Sequence, residues 1–431
     1  MKHERKQLSM DNLITSVSKE FATIKDHQKR SQYSIKDCLL TGLGMFYLKM
    51  NSMLQFITAV KNEALCKNLM NLYGVSAIPS DTHFRVRLDD IGYDRLQYAY
   101  DGIIRKLQRA KLLENFRYYE DYYLLAIDGT GYFSSDTVHC KNCCVKHHKK
   151  GGESYYHQVL SAVLVSPGIK EVLPVAIEPI IKQDGDVKND CERNAARRLL
   201  ATVRKSHPNL KIIVVMDALY ANGPLIKLLN ELDLRYIITG KNLEHMYDEF
   251  QHSGKAMNYQ VNISNGIAQY KFANQLELNA TCHQTLVNYV EYHESGGKKE
   301  FFSSWITDIN LSKENVTKIV TCGRARWCIE NQTFNTLKNQ GYNFEHNFGH
   351  GYNNLSVVMC HLMFIAFLID QVQAYCGYYF KQALKLVHAK KYIWEKIRSI
   401  FTMVAVDSWE QFYSTMIHMF GGILEPPPLL E

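Results

Sequence analysis

The apolar positions divide the chain into stretches with two different periods. Up to about residue 118 they recur every three or four residues, the spacing of one helix face, after a charged opening MKHERKQLSM that is expected to fray. Asp37 to Leu72 carries this pattern with little interruption beyond Gly42 and Gly44. A helix should end near Gly74, a turn should hold Pro79, and Ser80 or Asp81 should cap a second helix bearing His83, Arg85 and Arg87. A basic helix after a short glycine-containing turn has the outline of a helix-turn-helix, which would bring Arg85 and Arg87 to DNA. Two packed helices joined by a tight turn have the same outline.

From residue 121 the pattern changes to that of strands. DYYLLAID, ending at Asp128, is a short β-rich run, and SYYHQVLSAVLVSP from Ser154 and KEVLPVAIEPI from Lys170 are two more, with a turn at Pro167-Gly168. A helix over Asn189 to His207 follows, then the strand KIIVVMD ending at Asp217, a helix over Ala221 to Glu231, and the strand LRYIITG. Three hairpin-connected strands followed by parallel strand–helix units is the order of the ribonuclease H-like fold, an α/β mixed sheet with helices on both faces. NYQVNIS, IAQYKFA, LVNYVEYHE and FFSSWITDI then form a β-rich insertion, with Gly296-Gly297 as a turn signal, and the rest is helical to about residue 420. The expected organisation is a helical DNA-binding module over 1–118 and a catalytic core over 119–240 and 316–373. The insertion would span 241–315 and a C-terminal helical region 374–431.

Within the second part of the core, Cys322 to Gly341 reads as one helix. Arg326 and Glu330, four apart, share a face and can pair, while Ile329, Phe334 and Leu337 anchor the other side and Gly341 is a stop. Trp327 is expected to join the core.

Composition changes this picture little. Apolar residues make up 46% of 431, enough for at least one large core and ordinary for a globular chain. A net charge of +7 suits a polyanionic partner without requiring one. The longest apolar run, Leu355 to Ile369, is expected to be too short to span a bilayer and contains His361, which points to a buried helix and no membrane partner. Eleven scattered cysteines suit a reduced, cytoplasmic protein.

Three carboxylates carry the candidate chemistry. Asp128 and Asp217 each end an apolar strand, where a charge must be solvated, paired or metal-bound. In a ribonuclease H-like sheet those strands are neighbours, so the two aspartates would lie side by side, and like charges that close call for a cation. Hard oxygen ligands suit Mg²⁺ or Mn²⁺, with Glu330 completing the set. Two such ions can activate an attacking oxygen and stabilise a leaving one in phosphoryl transfer.

These residues resemble a known family. AIDGT around Asp128, VVMDALYANG around Asp217 and RARWCIENQTFNTLKNQGYNFEHNFGHG around Glu330 resemble a bacterial insertion-sequence transposase of the DDE type, in the group with a β-rich insertion before the last catalytic residue. IPSDTHFRVRLD, KHHKKGGESYYHQVL and NDCERNAARRLL extend the likeness over most of the chain. The resemblance implies Asp128, Asp217 and Glu330 as ligands of two Mg²⁺ ions, double-stranded DNA (transposon ends and target) as partner, and a homodimer assembled on it. It also implies cutting at the ends and joining by the freed 3′-hydroxyl, and a nucleoid-associated place in a bacterial cytoplasm. The family's helix signature is Tyr, two residues, Arg, three residues, Glu, six residues, Lys. Arg326 and Glu330 match it, but Gly323 stands for the tyrosine and Leu337 for the lysine. Lys338 comes one residue late, about 80° round a straight helix from Glu330, from where its flexible stem could still reach a DNA phosphate, and Arg326 is expected to position Glu330 or contact a phosphate itself. Two other readings share the fold: a nuclease without joining activity, and a non-catalytic DNA-binding regulator.

Between the first two strands, VHCKNCCVKHHKKGGESYYH offers a second site. Cys140 and Cys143 form a C-x2-C pair that could hold Zn²⁺ with His147 or His148 and His157. The same hairpin could instead meet phosphates through Lys149 and Lys150, and the two uses are compatible.

Overall fold

The computed structural model describes residues 7–26, 31–184, 188–241, 243–264, 266–279, 284–296 and 300–424. The first third is helical: α1 (Met10–Phe21), α2 (Ile35–Tyr47), α3 (Met53–Ala59), α4 (Glu63–Tyr73), α5 (Asp81–Asp89) and α6 (Gln97–Arg109). The first five have local start signals, because Ser9, Ser34, Ser52, Asn62 and Ser80 each accept a backbone N–H of the first turn. Gly74, at φ +68°, ends α4 in the left-handed conformation that glycine adopts without strain.

The sheet begins with β1 (Arg117–Tyr119), β2 (Tyr122–Ser135), β3 (Cys144–His147), β4 (Glu153–Val165) and β5 (Leu173–Ile180), followed by the short pair β6 (Lys182–Asp184) and β7 (Lys188–Asn189). After α7 (Glu192–Ser206) come β8 (Ile212–Met216), α8 (Gly223–Glu231) and β9 (Arg235–Thr239). Strands β5, β4, β2, β8 and β9 lie side by side in that order, the first three antiparallel and β2–β8–β9 parallel. This is the ribonuclease H-like arrangement. All five residues of β8 are buried, as expected of a central strand covered on both faces. β5 carries Pro174 and Pro179, and among the described residues it pairs with β4 alone, an edge position that tolerates proline.

The inserted segment extends this sheet. After α9 (Glu244–His252), β10 (Met257–Ile263), β11 (Gly266–Glu277), β12 (Leu286–Ser295) and β13 (Phe301–Thr307) form an antiparallel meander. β13 pairs antiparallel with β9, Ile306 opposite Ile238, so one sheet of eleven strands results.

Then come α10 (Val316–Arg324), α11 (Asn335–Asn339), α12 (Leu355–Cys376), α13 (Tyr378–Leu384), α14 (Lys390–Met403) and α15 (Trp409–Met419). The apolar run lies in α12, whose 22 residues are long and apolar enough to cross a bilayer, contrary to the expectation from the shorter run. Burial decides its role: its most apolar window is wholly enclosed by the fold, with α2, α5 and β5 packed against it.

One buried charge pair ties the helical parts together. Lys49 Nζ, fully buried, contacts Asp370 Oδ2 on α12 at 2.6 Å and lies 3.8 Å and 4.0 Å from the ring centroids of Tyr342 and Trp394. Tyr342 also donates to Asp370. Burial pushes the lysine down to about 8 and the aspartate up, and their mutual attraction opposes both shifts.

Candidate active site

Asp128 lies within β2, which continues to Ser135 in its pairing with β4 instead of ending there as expected, and Asp217 lies just past the end of β8. The parallel register pairs Ala126 with Val215, so two residues further on the aspartates come level on adjacent strands, which lie about 4.8 Å apart. Asp217 also starts a short turn, its Oδ1 accepting Leu219 N at 3.0 Å. Asn222 caps α8 through Leu225 N at 3.1 Å, as expected of a helix start.

Glu330 arrives from the chain after the insertion, and here the local structure departs from a single helix. α10 ends at Arg324, the chain tightens over the next residues, and Ile329–Phe334 forms a π-helix before α11 resumes. Arg326 Nη1 stands 2.8 Å from Asp128 Oδ2 and 2.8 Å from Glu330 Oε1. One guanidinium therefore bridges a strand carboxylate and the helix carboxylate. Burial pushes Asp128 up to about 6; Arg326 and the Gly129 N–H oppose this, while Glu330 and Asp217 add to it.

A fourth carboxylate stands beside them. Glu192, the first residue of α7, is raised chiefly by burial and then by Asp217. A Cβ at Gly129 would come within 3.0 Å of Glu192 Oε1, so a residue without a side chain after Asp128 leaves the room. Sequence reasoning did not single out Glu192, although it lies in the NDCERNAARRLL stretch.

The two departures from the helix signature have structural counterparts. A Cβ at Gly323 would meet Trp305 Nε1 at 2.5 Å, so the β13 indole fills the space a tyrosine would need. Gly323→Ala is expected to destabilise the protein by about 1–2 kcal/mol, overpacking outweighing the gain in helix propensity. Urea denaturation checks this, and a stabilised variant would mean that the indole yields freely. At the other end Leu337 is fully buried. Lys338 benefits from the π-helix, because a π turn takes up one residue more than an α turn. Its azimuth therefore becomes that of the seventh residue after Glu330, about 20° away, instead of the roughly 80° of an unbroken helix. Lys338 Nζ pairs with Glu345 at 2.8 Å, and its side chain is partly exposed.

Several expectations are corrected. Arg87 is 3% exposed and its Nη2 is bound to Asp26 at 2.5 Å, so it braces α5 from inside and is not free to meet a phosphate. On the same helix, Asp89 accepts the backbone N–H groups of Tyr352, Asn353 and Leu355 at 2.9 Å each, holding the start of α12. Arg85 remains half-exposed, paired with Asp81 at 2.6 Å. Trp327 is 51% exposed, not in the core, with the Arg326 guanidinium 5.2 Å from its ring centroid.

In the hairpin between β2 and β4, Lys149 and Lys150 are exposed at the turn. His147 pairs with Glu153 at 3.0 Å and His148 with Ser154 Oγ at 2.8 Å, so neither joins the cysteines. Cys140, Cys143 and His157 do converge, and the fourth group is His350, from the chain between α11 and α12. No spacing rule reaches across the 210 positions from Cys140 to His350.

A sequence model described as the transposase DDE domain matches residues 121–369, more than half of the chain. The chain belongs to the DDE transposase family. The matched span of this transposase chain starts just before β2, includes Asp128, Asp217 and Glu330, and runs into α12. No curated protein matches. Among solved structures, the piggyBac transposase synaptic complex with hairpin DNA, determined by cryo-electron microscopy, is similar at a TM-score of 0.42 and 11% identity, over 96% of this chain and 80% of that one.

Proposed function

We propose that this transposase binds the terminal inverted repeats of a mobile element and cuts and joins DNA by phosphoryl transfer at Asp128, Asp217 and Glu330. The observation that carries the reading is the meeting of these carboxylates, with Arg326 salt-bridged to Asp128 and Glu330. The donor set is all oxygen, which fits Mg²⁺ or Mn²⁺, and the crowding that raises Asp128 is what a divalent cation relieves. Two such ions held there would supply a polarised attacking oxygen and a stabilised leaving oxygen.

The protein's own part is positional. Two adjacent strands fix the aspartates, and Arg326 orients Glu330 while offsetting negative charge until cations arrive. Lys338, Arg85, Lys149 and Lys150 are candidate phosphate contacts, and the exposed Trp327 indole offers a stacking face beside the site. Lys338→Ala is expected to weaken end-binding several-fold and lower the salt slope by about one, with no change in melting temperature. Binding isotherms at several salt concentrations decide this, and an unchanged slope would remove the contact. A homodimer with one active site per DNA end is the assembly this reading implies.

Incubating the protein with linear donor-end DNA and Mg²⁺ tests the whole. Joined products are expected. Cut products alone would mean a nuclease, and a gel shift without cutting would mean a non-catalytic regulator; either outcome overturns the proposal.

A further inference from the structure

Cys140 and Cys143 come from the hairpin between β2 and β4, His157 from β4, and His350 from the chain between α11 and α12. All four are buried, with exposures of 7%, 1%, 0% and 6%. One ligand atom from each lies within 4.8 Å of every other. The sulfurs are 3.9 Å apart, His157 Nε2 is 3.4 Å from each sulfur, and His350 Nε2 is 3.2 Å from Cys143 Sγ. A tetrahedral zinc centre with ordinary bond lengths has edges of about 3.8 Å between two sulfurs and about 3.5 Å between sulfur and nitrogen. The observed separations follow that figure, whereas a disulfide needs sulfurs about 2.05 Å apart.

The ligands are held before any ion is considered. Cys140 N donates to Cys143 Sγ at 3.4 Å, and Cys143 N to Cys140 O at 3.2 Å, a tight turn that aims both thiols the same way. His157 stacks on Tyr132 with 18° between the rings, and His350 lies 4.2 Å from Phe133, centroid to centroid. Ring packing, not hydrogen bonding, sets both imidazoles, since neither Nδ1 has a partner among the described residues. Asn142 adds a second link across the junction, donating to Asn353 O at 2.8 Å.

We propose that Cys140, Cys143, His157 and His350 bind one structural Zn²⁺. Four protein ligands leave no open position, so the site is a clip and not a second catalytic centre. It fastens the hairpin that follows the Asp128 strand to the segment that follows the Glu330 helix, so two stretches that carry carboxylates of the set are tied together. The inference does not rest on the transposase reading: a chain that neither cuts nor joins DNA would still carry the ion.

Metal analysis of the full chain, purified without chelators, tests it together with cobalt substitution. One zinc per chain is expected, and Co²⁺ in its place should give thiolate-to-metal absorption and the intense visible bands of a tetrahedral site. Cys143→Ser and His350→Ala should each lower bound zinc at least tenfold in equilibrium dialysis, whereas His148→Ala should leave it unchanged. Hydrogen exchange over residues 342–354 should speed up when zinc is stripped from the unmutated protein, a readout that needs no variant to fold. Zinc well below one per chain, an octahedral cobalt spectrum, a Cys140–Cys143 disulfide in the purified protein, or full zinc in His350→Ala would each overturn the assignment. DNA joining is scored separately, so failure of the clip and failure of the catalytic proposal are told apart.

Discussion

Alanine at Asp128, Asp217 or Glu330, one at a time, is expected to lower DNA-end cleavage and joining roughly a thousandfold or more, while end-binding stays within a few-fold. The argument starts from placement. β2 and β8 bring the two aspartates level in the centre of a rigid sheet, and Arg326 joins Asp128 to Glu330. Removing one carboxylate takes away a ligand and leaves Arg326 overbalancing what remains, so cation affinity and the local field fall together. DNA contacts elsewhere on the surface are untouched, which is why binding persists. The proposed site also has a pH signature. Asp128 is pushed up to about 6 by burial and its acidic neighbours, so below that pH its carboxyl is protonated and cannot act as a ligand. Mn²⁺ affinity, followed by titration calorimetry, should therefore be full above about pH 7 and decline as pH falls through 6. Joining at the unmutated level by any one variant removes that residue from the ligand set, and a flat pH profile removes Asp128 as its titrating group.

Asp370→Ala is expected to destabilise the protein by about 3–5 kcal/mol, the largest stability effect anticipated for a single position. Asp370 is the charged partner of a lysine with no access to solvent. Without it the Lys49 ammonium keeps, among the described residues, the carbonyls of Phe46 and Tyr47, each 3.2 Å away, and the faces of Tyr47, Tyr342 and Trp394. Lys49 itself has φ +53°, a left-handed conformation that side chains rarely adopt, so its placement in the interior is held by packing and the Asp370 pair against a backbone cost. The pair also joins regions distant in sequence: Lys49 follows α2, Asp370 is in α12, Tyr342 follows the Glu330 helix and Trp394 is in α14. Its loss should loosen the seating of that helix as well as the global fold. Urea unfolding measures the first effect, and a loss under 1 kcal/mol would mean that the lysine is accommodated as a neutral amine. Lys49→Met with Asp370→Leu should recover much of the stability, because a well-packed apolar pair escapes the desolvation cost.

Much of the core was legible because its signals are local. The apolar strand runs that carry Asp128 and lead to Asp217, the start of α5 at Ser80, and the stop at Gly74 each depend on a few adjacent residues. The C-x2-C pair with His157 was legible in the same way, since all three lie within one hairpin and its strand. What escaped depends on partners far along the chain. Arg87 reads as a surface arginine until Asp26 is packed against it, and Trp327 reads as core until its side of the chain is left uncovered. The late lysine appeared misdirected because a straight helix was assumed; a π turn has no strong sequence signature, yet it changes the azimuth of everything after it.

The sequence alone determined the periods of the elements, most of their order and the aspartates on two apolar strand runs, and its motifs around Asp128, Asp217 and Glu330 carried the resemblance to the family. Periodicity and capping act within a turn or a strand, and order along the chain with the handedness of strand crossovers restricts the sheet to few arrangements. Only the tertiary structure decided that the inserted strands extend the core sheet, that His350 and not His148 closes the cysteine cluster, and that Arg326 bridges Asp128 and Glu330. Those outcomes depend on which edges pair and which buried charges find partners. They are settled by packing the whole chain at once, through desolvation and shape, and no window of neighbouring residues contains them.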